Sequence, residues 1–163
     1  MSTLYFDSPT SNTMKLGISL GTRLTGLALM TGRSLELWQI KNFEERWSER
    51  KLASIVKTID RYLEDYAIIA VTIKIPEPCR SSFAIVRLTE VLMRLCERKG
   101  IRANTCTTND LKLYCNVRNR REMMTYATKL YPELGHVKEK ADRVKKVYYV
   151  KIFEAVLSAL ISN

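Results

Sequence analysis

The sequence is poor in the side chains that bind transition metals. It contains one histidine, His136, among 163 residues, and its four cysteines show no Cys-x-x-Cys or Cys-x-x-His spacing. Zinc sites are usually built from closely spaced Cys and His ligands. We therefore expect no zinc site, and we interpret the thiols as reduced and partly buried in an intracellular chain. These cysteines are Cys79, Cys96, Cys106 and Cys115.

Long apolar runs are also missing. No run approaches the roughly 18 residues that a membrane-spanning helix needs. Residues 1–13 are polar and rich in Ser and Thr, and they lack the basic start and apolar stretch of a secretion signal. We therefore predict a disordered leader over residues 1–13, a single domain over residues 14–163, a cytoplasmic location and no membrane partner.

Acidic residues are scarce relative to basic ones. Twenty-seven Lys and Arg stand against seventeen Asp and Glu, which gives a formal net charge of +10. Such a charge attracts polyanions: nucleic acids, acidic proteins or anionic membrane surfaces. Charge alone does not choose among these partners, and a basic protein with none of them stays an alternative.

Three strands in tandem are predicted at the start of the domain. Apolar stretches occupy residues 15–21, 25–31 and 35–40, and short turns rich in glycine separate them. Strands joined by such short turns pair with their neighbours in the chain. The pattern therefore predicts an antiparallel meander.

Helices and strands alternate in the remainder of the chain. Residues 67–75 read as a strand buried on both faces, residues 101–106 as a fifth strand, and Ser81 or Ser82 as the cap of the helix between them. Further helices are predicted from Thr108, from about Asn119, and from about 139 to 161. A helix with apolar spacing precedes residue 67; its stripe is Trp47, Leu52, Ile55, Val56, Ile59 and Leu63. The inward side chains expected on the last helix are Val144, Val147, Tyr148, Phe153, Val156, Leu157 and Leu160.

This order predicts an α/β fold. Three antiparallel strands followed by two strands that alternate with helices form a five-stranded mixed sheet, with two parallel strands added to the meander and helices on both faces.

The stretch Leu16-Gly-Ile-Ser-Leu-Gly-Thr-Arg-Leu-Thr-Gly-Leu-Ala28 resembles the start of RuvC-type Holliday junction resolvases and their YqgF-like relatives. Residues 71–77 and 151–160 fall where that family has its fourth-strand Ile-Glu and its final Asp-x-x-Asp-Ala helix. The resemblance extends from Met14 to Ile161. It implies a ribonuclease-H-like fold and a nucleic-acid partner, DNA junctions or other branched DNA, in DNA recombination.

The residues at the family's catalytic positions differ from the family pattern. Carboxylates in the family hold two Mg²⁺ ions that activate water for cleavage. The first-strand Asp falls on Ser19, the fourth-strand Glu on Lys74 (or on Thr72 if the alignment shifts by two), and the helical pair on Lys151 and Glu154. The charge of this set changes from about −4 to about +1 with each side chain in its usual state at pH 7.

The resemblance with these substitutions implies a pseudo-enzyme that binds DNA without a metal cofactor. Lys74 and Lys151 would then bind backbone phosphate as point charges. The alternative is that both lysines arose by neutral drift at a site that has no function. An active Mg²⁺-dependent endonuclease on DNA junctions or RNA is the second hypothesis, with Glu154 and Glu77 as its candidate metal ligands and Asp110 as a further nearby acid.

Other basic residues are candidates for nucleic-acid binding. Thr22 and Arg23 follow the Gly21 turn, whose backbone N–H groups suit an anion. Tyr148 and Tyr149 would stack on bases beside the last helix. Each of these sites has a plain alternative as a turn or a solvated helix face. The remaining candidates are Arg118, Arg120, Arg121, Lys145 and Lys146.

Two other classes of protein share parts of this pattern. Actin-like and sugar-kinase-like ATPases also place a Gly-Thr turn after the first strand, but their nucleotide lies between two such domains. A non-catalytic scaffold for a protein partner is the other alternative. Resolvases of this kind resemble twofold dimers, so a homodimer is possible, although no residue identifies its interface.

Overall fold

The strands form one five-stranded sheet in the order β3-β2-β1-β4-β5. A computed structural model describes residues 13–144 and 147–162, so the predicted leader lies outside the described residues except for Thr13. β1 pairs antiparallel with β2, which pairs antiparallel with β3, whereas β1–β4 and β4–β5 are parallel. The strands are β1 (Met14–Ser19), β2 (Leu24–Thr31), β3 (Ser34–Asn42), β4 (Ile68–Lys74) and β5 (Arg102–Cys106).

Helices cover both faces of this sheet. α1 and α2 pack on one face, where their apolar stripes share a core cluster with β1 and β4. α3, α4, α5 and α6 share a second cluster on the other face. The helices are α1 (Glu49–Asp65), α2 (Phe83–Arg98), α3 (Thr108–Cys115), α4 (Arg120–Leu130), α5 (Gly135–Val144) and α6 (Val147–Ile161).

Short polar side chains begin four of these helices. Ser48, Ser82, Thr107 and Asn119 each accept a hydrogen bond from a backbone N–H in the first turn. Such caps satisfy donors that the helix itself leaves free. Ser82, not Ser81, is thus the cap of α2.

The mixed sheet with helices on both faces is confirmed, but the prediction for the end of the chain was partly wrong. Helical residues begin at Gly135 rather than at about 139, and residues 145 and 146 lie outside the described part. Val144 and Tyr148 are 42% and 37% exposed, not inward-facing. In the single continuous helix that was predicted, Val144 and Phe153 would lie on roughly opposite sides at about 100° per residue, so they could not share one apolar stripe.

No helix in the described ranges is long and apolar enough to cross a membrane.

The last helix, α6, lies unusually close to the sheet. It contacts β1, β2, β3 and β4, and every residue from Ile152 to Leu160 is buried. Glycine makes this approach possible, because a Cβ at Gly17 would lie 2.5 Å from the Ala159 amide nitrogen and one at Gly26 would lie 2.8 Å from the Lys151 carbonyl carbon. The two glycines therefore set the height of α6 above β1 and β2.

Replacing Gly17 by Ala is expected to lower the free energy of unfolding by about 2 kcal/mol or more, because the added methyl group meets the α6 backbone, which has no room to move. Urea denaturation measures the loss. Gly135→Ala is the matched control: nothing lies within 4 Å of its Cβ position and its backbone is helical, so this variant should be neutral or slightly stabilised. Equal losses in both variants would contradict the proposed contact.

Candidate functional site

Three side chains from separate elements meet at the carboxyl ends of β1 and β4. Ser19, the last residue of β1, lies beside Lys74, the last residue of β4, in the parallel pairing of these strands. Glu154 reaches them from α6. Its Oε1 accepts a hydrogen bond from the Ser19 hydroxyl at 2.8 Å, and its Oε2 lies 3.0 Å from the Lys74 ammonium nitrogen.

The Lys74–Glu154 ion pair is buried. The side chains are 9% and 2% exposed, and Thr108 donates a further hydrogen bond to Glu154 at 3.4 Å. Buried charges are tolerated when each has a counter-charge and hydrogen bonds. Both oxygens of Glu154 are therefore engaged within the protein, and the pair adds no net charge.

Lys151 lies one helical turn before Glu154 on α6, and its ammonium donates a hydrogen bond to the Leu20 carbonyl at 3.1 Å. Desolvation by burial lowers the pKa of Lys151 to about 8. The charge of Glu154 opposes this shift, whereas those of Lys74 and Arg120 add to it. Within the described part of the chain, no carboxylate lies at ion-pair distance from this ammonium.

Lys74, Lys151 and Glu154 form the floor of an open groove of about 600 Å³, with Ser19 buried beneath it. Five of the lining side chains are cationic and two are carboxylates, so the groove carries an excess of positive charge. Its walls come from the segment after β4 and from the first residues of α3 and α4. The lining residues are Lys74, Pro76, Glu77, Arg80, Thr108, Asn109, Lys112, Asn119, Arg120, Lys151 and Glu154.

The structure brings together the four positions that the family resemblance singled out: Ser19, Lys74, Lys151 and Glu154. Lys74 is the neighbour of Ser19, whereas Thr72 lies two residues earlier, beside Gly17.

The other acidic candidates have local partners. Glu77 lines the groove, but its Oε1 accepts a hydrogen bond from the Asn109 backbone N–H at 3.3 Å. Asp110 is the capping-box residue of α3, where it accepts from the Thr107 backbone N–H. Across the described ranges, no three His, Cys, Asp or Glu side chains are grouped so that they could hold a metal ion.

The predicted basic candidates separate into two groups. Arg120 lines the groove, whereas Thr22, Arg23, Arg118 and Arg121 are not among its lining residues. Arg118 is exposed and pairs with Glu122 at 3.2 Å. Tyr148 and Tyr149 contact each other edge to face, with ring centroids 5.0 Å apart. Lys145 and Lys146 lie outside the described residues.

Several residues that line the groove were not predicted from the sequence. Arg80 lies in a single turn of 3-10 helix, Pro78–Arg80, and Lys112 lies on the short helix α3. The predicted topology could have identified them, because the segments that follow β4 and β5 leave the same edge of a parallel sheet, where ligands of such folds bind. Polar residues directly after those strands were therefore candidates.

Comparison with known proteins rests on structure, because no protein-family model and no curated protein matches this chain. The fold is ribonuclease-H-like and of the RuvC type. The RuvC structure of Thermus thermophilus matches with a TM-score of 0.69 and 12% identity, over 89% of this chain and 92% of that one. T. thermophilus RuvC in complex with a Holliday junction substrate matches with a TM-score of 0.68 and 12% identity, over 90% and 91% of the two chains.

Glu154→Gln is expected to lower the free energy of unfolding by about 3 to 5 kcal/mol, because it leaves the buried Lys74 ammonium without a counter-charge. The double variant Lys74→Met with Glu154→Gln should recover much of this loss. Urea denaturation at pH 7 of the wild type, the single variants Lys74→Met and Glu154→Gln, and the double variant provides the double-mutant cycle. Glu49→Gln, which breaks the exposed Arg87–Glu49 pair, is the control and should cost under about 1 kcal/mol. Additive losses in the cycle would show that the buried pair is not coupled.

The low pKa of Lys151 predicts a pH dependence of stability. The unfolded lysine keeps its proton up to pH 10.5 but the folded one only up to about 8, so the unfolded state binds more protons in this window and stability rises with pH. Relative to Lys151→Met, the wild type should gain up to about 3 kcal/mol between pH 8 and 10.5. Urea denaturation across this range measures the difference, with the exposed Lys57→Met as control. A constant difference between wild type and Lys151→Met would contradict the assignment.

Proposed function

We propose that this protein binds nucleic acid, with DNA junctions or other branched DNA as its substrate class, and that the groove at the carboxyl ends of β1 and β4 receives the phosphate backbone. The observation that carries the proposal is the excess of cations around this groove. Affinity for nucleic acid comes largely from phosphate contacts by Lys and Arg. The formal net charge of +10 and the fold shared with a RuvC that has been solved with a Holliday junction also support it.

Binding without metal-dependent cleavage is the second part of the proposal. The RuvC-type fold implies a pair of Mg²⁺ ions, which take oxygen ligands, mostly carboxylates and water. The side chains here do not fit that pair: Glu154 is bound by Ser19, Lys74 and Thr108, and two ammonium groups lie beside it. Lys74 and Lys151 stand at the family's metal-ligand positions as cations, which suits retention of phosphate and not hydrolysis. The catalytic site is degenerate in this proposal.

An active endonuclease is the second candidate, because Glu77 and Glu154 line the same groove. That function would require Glu154 to exchange its present partners for an ion. Under this candidate Glu154→Gln abolishes cutting, and cutting that persists in the variant has another source. A scaffold for a protein partner is the third candidate, and it requires none of the groove cations.

The decisive experiment is a binding titration with a labelled four-way junction, duplex and single strand at two salt concentrations, with Mg²⁺ or Mn²⁺ present so that products are detected in the same samples. We expect tight, salt-sensitive, junction-preferring binding without products. The double variant Arg80→Gln with Lys112→Gln should weaken binding by about tenfold or more and reduce the salt slope by about 2, because two phosphate contacts are lost.

Arg94→Gln with Arg98→Gln is the matched control, since it removes the same charge from exposed positions toward the far end of α2. Equal weakening by both double variants would mean that net charge, not the groove, drives binding. Products would support the endonuclease, and failure to bind any of the three nucleic acids would leave the scaffold.

A further inference from the structure

The cations that line the groove are unevenly neutralised. Glu154 neutralises Lys74 at 3.0 Å. Lys151 and Arg120 have no carboxylate at ion-pair distance among the described residues, although both line the groove. Arg120 is near enough that its charge helps lower the pKa of Lys151. The nearby carboxylate of Glu154 acts on Lys151 as well, but its two oxygens are engaged by Ser19 and Lys74.

An anion bound between these two groups would relieve their repulsion. The larger the negative charge of the anion, the more of this repulsion it offsets. An internal phosphodiester has one negative charge and two oxygens blocked by ester bonds. A terminal phosphate has nearly two negative charges and three free oxygens at pH 7 and above. Because an ammonium and a guanidinium together supply several charge-assisted donors, they satisfy the terminal group more fully.

Position within the groove favours the same ligand. The Lys151 ammonium is partly buried on the floor, where it is held by the Leu20 carbonyl of the β1–β2 turn. A terminal phosphate is attached to the strand on one side only, so it can reach the floor while the strand leaves along the wall. Asn109 and Asn119, both exposed on that wall, offer amides to the adjoining sugar or base.

We propose that Lys151 and Arg120 form a subsite for the terminal phosphate of a nucleic-acid strand. This inference rests on the proposed function and deepens it, because it names the part of the nucleic acid that this pair of cations selects. A strand end with a phosphate monoester is its ligand, and an internal phosphate of the backbone binds there more weakly.

The test compares one oligonucleotide sequence with a 5′-phosphate, with a 3′-phosphate and with hydroxyl groups at both ends, by fluorescence anisotropy in EDTA. We expect one of the phosphorylated strands to bind at least about tenfold more tightly than the hydroxyl form. Arg120→Gln should remove this ratio. Arg121→Gln, an adjacent and exposed arginine outside the groove lining, should weaken all three strands alike and keep the ratio.

Proton uptake gives a second readout that a purely structural role would not move. The charged groups that influence Lys151 are Glu154 on its own helix, Lys74 on β4 and Arg120 on α4. Burial lowers the pKa of Lys151 to about 8 and a bound phosphate raises it again, so binding near pH 8 should be accompanied by proton uptake. Titration calorimetry in two buffers of different ionisation enthalpy measures this uptake, which Lys151→Met should abolish.

The possible outcomes distinguish failure of the terminal-phosphate subsite from failure of nucleic-acid binding. Equal affinity for all three strands without proton uptake would overturn the terminal-phosphate subsite while leaving nucleic-acid binding intact. Failure to bind any strand would overturn the proposed function as well. Inorganic phosphate or a mononucleotide that binds as tightly as the phosphorylated strand would also overturn the assignment to a strand end.

Discussion

The close packing of α6 on β1 and β2 is the constraint on which the rest of the site depends. Without a Cβ at Gly17 and Gly26, the helix backbone approaches the strand backbone directly. At this distance a glutamate side chain can span from the helix to the ends of two strands, which is how Glu154 reaches both Ser19 and Lys74. The glycines also fix Lys151 one turn earlier over the β1–β2 turn. Two small residues in the sheet thus position two charged residues on the helix.

The charges where α6 meets the strand ends fall into two sets, called here the buried level and the outer level. The buried level is closed: Glu154 has a hydroxyl partner on one oxygen and an ammonium partner on the other, so removing any member leaves an unsatisfied group in a place from which water is largely excluded. The outer level is open, since Lys151 and Arg120 face the groove with no carboxylate of their own among the described residues. Charges in the first level satisfy each other within the protein, and those in the second are available to a ligand.

The sheet could be predicted because it depends on local patterns, whereas the residues of the candidate site were proposed from the family resemblance. Apolar runs between glycine turns specified the meander, and the three-residue spacing of Lys151 and Glu154 placed them on one helix face. The alignment of β4 remained open between Lys74 and Thr72 because a shift of two residues keeps the same face of a strand. Only the pairing with β1 distinguishes them.

The residues that were not predicted from the sequence depend on structural features other than local patterns. Arg80 and Lys112 enter the groove through the directions in which a 3-10 turn and a short helix leave the sheet, and no spacing along the chain encodes those directions. The prediction for Val144 was wrong for a different reason: nine residues separate it from Phe153, so the predicted helix itself would have placed the two on opposite sides.

The buried and the outer charges of the site differ in what they indicate about function. Lys74 and Glu154 would be retained by folding alone, because losing either one leaves the other charge buried without a partner. Their presence is therefore weak evidence for a ligand. Arg80 and Arg120 are exposed and form no ion pair within the described part of the chain, so folding has little reason to keep them. Cations that contribute nothing to stability and still converge on one groove are better explained by an anionic ligand, and this makes the rim of the groove more informative about function than its buried centre.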